Sequence, residues 1–145
     1  LLAVDEALVN AIIHKDYGFS EAIHCIAYRD GFVVINPGGI PQEVPQHFSL
    51  ADTVLESVPR NSRIVEWMRY MKDERGKPLV RALSEGTRKM CEEMEKLGLP
   101  APYYETGRNT TVTLYNRDNH LAERLAPHAA YTSTAPKSDL PHEPG

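Results

Sequence analysis

The chain has 145 residues, 41% hydrophobic and 25% charged, with a formal net charge of -4 and a pI near 5.9. One domain around one core suits that length, and the near-average composition excludes a wholly disordered chain or a coiled coil. The acidic balance opposes a nucleic-acid-binding surface, which needs clustered basic residues to displace counterions. Apolar runs such as Phe32 to Ile35 fall far short of the roughly 20 residues of a membrane helix, so a cytoplasmic location without membrane contact is expected.

In chain order, Val4, Leu8, Val9, Ile12 and Ile13 form one apolar arc at helical spacing, predicting a helix over residues 4–17 that Gly18 ends. Asp5 interrupts the arc in the first turns, where the helix dipole favours a carboxylate. Glu6, Asn10 and His14 recur every four residues and stack as a polar line beside it. Residues 21–28 and 32–36 are β-rich and flank Asp30-Gly31, a hairpin signal. The second strand runs into the breaker cluster Asn36-Pro37-Gly38-Gly39. Residues 40–59 read as irregular, with Ser49 and Asp52 able to cap a short helix through Glu56.

Ser62 is placed to cap a helix with Ile64, Val65, Met68 and Met71 inward, followed by a charged loop around Gly76. Leu83, Thr87, Met90, Met94 and Leu97 mark a further helix over residues 85–97, terminated by Gly98 and Pro100. Residues 103–105 and 110–115 alternate as half-buried strands around Gly107 and Asn109. The composition then shifts, and residues 118–145 are expected to be a flexible tail or linker, leaving 1–117 as the domain. Cys25 and Cys91 are too few for a disulfide framework and lack zinc-ligand spacing, so both are expected to be buried structural thiols.

The motifs Glu6 with Asn10, His14 with Asp16 and Tyr17, Asn36-Pro37-Gly38-Gly39, Pro59-Arg60-Asn61 and Ser84-Glu85-Gly86 occur in a telling order. Over roughly Val4 to Tyr115 that order resembles the GHKL-like ATPase domain of Schlafen-related bacterial transcriptional regulators, often labelled RecG-related helicases. The resemblance implies ATP and magnesium as cofactors, with Glu6 catalytic through an attacking water and Asn10 the metal ligand. Four-residue spacing puts both on one helix face, and one amide oxygen suffices for a magnesium ion already on phosphates. Asn36 stands where the wider superfamily keeps an aspartate that accepts from the adenine amino group, and Gly38 with Gly39 would let backbone approach the ligand. Ser84 and Gly86 occupy the place of a glycine-rich box before a helix, whose free amides bind phosphate. Here Glu85 must point away for phosphate to approach. Arg60 lies in the presumed lid, within reach of a phosphate, with Lys77 a weaker candidate. His14 is expected to make a local hydrogen bond rather than to catalyse.

The expected fold is an α/β two-layer sandwich, a mainly antiparallel sheet with helices on one face. The expected function is magnesium-dependent binding of an adenine nucleotide, with slow ATPase activity at most. The alternative is a degenerate GHKL-like dimerisation or scaffold module without nucleotide. Expected partners are the other domains of a parent regulator, which would carry its DNA binding, and a second copy in a homodimer. A helicase motor is excluded for this chain, because it lacks the G-x-x-x-x-G-K-[ST] loop and the length of two motor domains.

Overall fold

The computed structural model describes residues 2–56, 58–80 and 85–116. Leu83, Ser84 and the expected tail at 118–145 lie outside them. Three helices and five strands follow in the order α1 (Leu2–His14), β1 (His24–Tyr28), β2 (Gly31–Pro37), β3 (His47–Ser49), α2 (Ser62–Tyr70), α3 (Gly86–Lys96), β4 (Tyr103–Thr106) and β5 (Asn109–Tyr115). The strands make one antiparallel sheet in the order β1-β2-β5-β4-β3. This is the expected two-layer α/β sandwich.

α1 is the hub of the helical layer, packing on β2 and β5 and against both other helices. Its deep face differs from the predicted arc: Ala3, Ala7 and Ala11 are buried, Val4 and Leu8 are half-buried beside them, and Ile12 is exposed. Alanines at every fourth position let the helix axis come close to its neighbours, and the bulkier residues fill the flanks. Glu93 of α3 accepts the backbone N–H groups of Leu2 and Ala3, two of the orphan donors at the start of α1. The helix stops at His14, earlier than Gly18 suggested, because its last carbonyls find side-chain and chain partners. Asn61 Nδ2 donates to Ile13 O and Lys15 O, each at 2.7 Å, and the Asp16 N–H turns to Pro37 O.

The β1–β2 hairpin forms as expected, with Arg29 and Asp30 between the paired Tyr28 and Gly31. Gly31 itself is the first residue of β2, where a Cβ would meet Leu114 O at 2.4 Å. It serves the close approach of β5, not a left-handed turn. Val34, Val112 and Tyr104 stand in register across β2, β5 and β4 and form the helix-facing core with Met90 and Met94 of α3. Phe48 of β3 stacks on Tyr104 with ring centroids 5.5 Å apart.

The predicted helix from Ser49 does not form. Ser49 ends β3, and its carbonyl and Oγ accept from Asp52, Thr53 and Ala51, which closes a turn. α2 buries Val65 and Met68 against Ile13 and Val80 in a second cluster. Its cap residue is Asn61, not Ser62, which makes no side-chain capping bond and whose Nδ2 instead donates to carbonyls at the end of α1. Met71, expected inward, is exposed, since the chain turns extended after Tyr70. Leu97 is likewise exposed at the end of α3, where Gly98 at φ 67° reverses the chain and the Leu99 N–H bonds Met94 O. Both cysteines are free thiols, but Cys25 is exposed on the edge strand and Cys91 half-buried, so neither is a fully buried core thiol. No helix among the described residues is long and apolar enough to cross a membrane.

Candidate functional site

A cavity of about 90 Å³ lies between α1 and the helix-facing side of the sheet. That is several times the roughly 10–15 Å³ a single water needs. Val34 and Asn36 of β2 with Thr110 and Val112 of β5 form its floor. Asn10 and His14 stand on its helical wall, and the loop from Gly39 to Gln42 closes another side. The apolar part of this lining and its few polar groups are the usual make-up of a small-molecule site.

Asn36 is the most telling of those polar groups. It is 6% exposed, and its Oδ1 is buried without a hydrogen-bond partner among the described residues. Burying an amide oxygen unpaired costs about 1–3 kcal/mol, and Asn36 is one of the residues that line the cavity.

At the other end of the α1 polar line, residues eighty positions apart meet. A Cβ on Gly86 would lie 2.8 Å from Glu6 Oε2 and 3.5 Å from Asn10 Oδ1. Glu6 and Asn10 therefore face the N-terminus of α3, where no side-chain cap bond is made at Glu85. The Glu85 carboxylate is turned onto its own helix, pairing with Lys89 Nζ at 3.0 Å and Arg88 at 3.8 Å. It thus meets the condition set by its place in the glycine-poor box. Ser84 lies outside the described residues.

Gly38, Gly39 and Arg60 form a separate group. Arg60 Nη2 donates to Gly39 O at 2.7 Å, and its Nη1 lies 3.5 Å from Asp16 Oδ2. Gly38 has φ 103°, and a Cβ there would sit 2.1 Å from Arg60 Nη1; one on Gly39 would meet Gly107 O at 2.4 Å. The absent side chains of both glycines thus face protein, although Gly39 also lines the cavity. Arg60 is not among the cavity-lining residues; it ties the end of α1 to the loop after β2.

The His14 imidazole, expected to bond locally, makes no hydrogen bond among the described residues. Burial, reinforced by the Arg60 guanidinium, lowers its pKa below the usual histidine value and favours the neutral imidazole. Burial also pushes the Tyr104 phenol far above its ordinary range. Tyr104, Thr110 and Thr87 join the lining without a motif to announce them. Only strand register and helix docking bring them there. Among the described residues no group of three or more His, Cys, Asp or Glu is placed to hold a metal. A magnesium ion carried in on phosphates needs no such cage, and the amide oxygen of Asn10 is the kind of hard donor it takes.

A family model described as "Putative ATP-dependent DNA helicase recG C-terminal" matches residues 21–114. The match includes Asn36, Gly38, Gly39, Arg60 and Gly86, and starts after the helix that carries Glu6 and Asn10. The crystal structure of the DIP2311 protein from Corynebacterium diphtheriae is similar at 28% identity and a TM-score of 0.61, covering 83% of this chain and 24% of that one. The chain therefore spans about a quarter of the length of that protein. No curated protein matches the chain. With well over half its length matched, the chain belongs to this RecG C-terminal family, a GHKL-like ATPase domain of RecG-related proteins.

Proposed function

We propose that this domain binds an adenine nucleotide with magnesium and hydrolyses it slowly, within a Schlafen-related bacterial transcriptional regulator whose DNA contacts lie in other domains. The observation that carries the reading is Asn36, whose amide oxygen is without a partner among the described residues, in the lining of a cavity walled by α1. The residues fit the group. Asn36 offers an acceptor to the base, and Gly86, without a side chain, brings the start of α3 close to Glu6 and Asn10. In this arrangement Asn10 holds the metal, and the Glu6 carboxylate orients water against the terminal phosphate. Glu6 serves hydrolysis and contributes little to ground-state affinity.

One feature favours the alternative of a scaffold module without nucleotide: Arg60 is engaged by Gly39 O and Asp16 and does not line the cavity. A titration of ATP with magnesium decides between the two, followed by melting temperature and by the amide signals of Asn10, Asn36 and Gly86. A nucleotide at about 100 times its dissociation constant adds ~2.7 kcal/mol to stability. Asn10→Ala is expected to weaken binding and remove its magnesium dependence. Glu6→Gln is expected to keep binding and lose turnover by about 10²- to 10⁴-fold. If millimolar ATP moves neither the melting temperature nor those amides in the wild type, the scaffold reading replaces this one.

A further inference from the structure

The hydrogen-bonding freedom of Asn36 bears on which bases the cavity takes. Its side chain is nearly fully buried, and no described protein group bonds either of its two polar atoms. Across the ladder its register partner is Thr110, whose hydroxyl is committed as a donor to Gly38 O at 2.8 Å. Among the described residues no hydrogen bond therefore fixes which way the amide faces. A terminal amide torsion is broad and roughly two-fold, so the oxygen and the NH₂ group exchange places by a half-turn of χ2.

We infer that the cavity accepts purine nucleotides whether the 6-position carries an amino or an oxo group, a deepening that rests on the nucleotide reading above. Against a 6-aminopurine, Oδ1 accepts from the exocyclic amine and Nδ2 donates to N1. Against a 6-oxopurine, the half-turned amide donates from Nδ2 to O6 and accepts from N1–H. Both poses form two hydrogen bonds and pair both polar atoms of the Asn36 amide. A site locked to one donor–acceptor pattern would reject the other base by roughly 10⁴-fold. A carboxylate in the same place, being acceptor-only when ionised, makes one bond in either pose and sets an oxygen against N1 of the first base or O6 of the second.

The test is a parallel titration of the wild-type chain with ATP and with ITP, each with magnesium, by calorimetry and thermal shift. Inosine is the chosen base because it changes the 6-position without adding the 2-amino group of guanine. Dissociation constants within fivefold of each other are expected. A preference above fivefold in either direction overturns the inference while leaving the nucleotide site in place. Binding of neither nucleotide at millimolar concentration removes the nucleotide reading and this inference with it. Asn36→Asp, if it folds, is expected to weaken ATP and ITP alike by about tenfold or more, because both poses lose the Nδ2 donor; unchanged affinity for either would show that the amide does not face the 6-position.

Discussion

Gly38 and Gly86 are both crowded, yet replacing them has different consequences. At Gly86 the nearest neighbour of an added Cβ is the far end of the flexible Glu6 side chain, which can swing away. Alanine is also favoured over glycine in a helix by about 0.8–1 kcal/mol. Gly86→Ala should therefore change stability by under about 1 kcal/mol in a denaturant titration while displacing the Glu6 carboxylate. Gly38→Ala meets both a left-handed backbone at φ 103° and the anchored Arg60 guanidinium. A loss of about 1–3 kcal/mol is expected there, and equal stability of the two variants would refute the packing described. His14 gives a pH signature. Its folded pKa lies below the usual value of about 6.5, so the unfolded chain takes up the proton first on acidification. The stabilisation from the neutral imidazole is complete above about pH 6.5 and is lost as pH falls from there through the folded pKa. The slope from this one group cannot exceed about 1.4 kcal/mol per pH unit. His14→Gln should flatten the denaturation midpoint below about pH 6.5, and an unchanged profile would mean the imidazole is not held neutral by burial.

Among the elements, α1 owes its position to contacts at both ends. Glu93 holds its first amides and Asn61 its last carbonyls, so α3 and the loop before α2 grip the helix that carries Glu6, Asn10 and His14. Met90, fully buried, and Leu8, half-buried, both pack in the cluster between α1, α3 and the sheet. Met90→Ala should cost roughly 2–5 kcal/mol, the range for truncating a buried large side chain. Leu8→Ala should cost less, because part of its surface already faces water. Urea titrations of both variants check the order, and a larger loss at Leu8 would show that the alanine line is not the deep face of α1.

For the whole molecule, a net charge of -4 sets how it meets other polyanions. Arg88 and Lys89 pair with glutamates on their own helix, Arg108 with Glu21, and Arg60 with Asp16. These cations are partly neutralised, and an acidic surface disfavours counterion release from a duplex. The isolated chain should show no sequence-selective retention of duplex DNA at physiological salt. Salt-sensitive, sequence-selective retardation by this chain alone would contradict the placement of DNA contacts in other domains.

Much of this architecture was legible along the chain because the relevant forces act over a few residues. Helical spacing marked α1, α2 and α3, Asp30 and Gly31 marked the first hairpin, and Asn36 to Gly39 marked the break after β2. The order of those motifs identified the family. Other features depend on partners far away in sequence. Which α1 residues lie deepest was decided by how closely α3 and the sheet approach, which favoured the alanines over the larger apolar side chains. Ser49 had the chemistry of a helix cap, but pairing of β3 with β4 claimed its backbone. Arg60 had the charge to reach a phosphate, yet a carbonyl and a carboxylate brought by the fold hold it. The meeting of Gly86 with Glu6 and Asn10, and the isolation of the Asn36 amide, are likewise products of tertiary packing. Local propensity and periodicity specify which elements form; only their docking determines which polar groups are left to face a ligand.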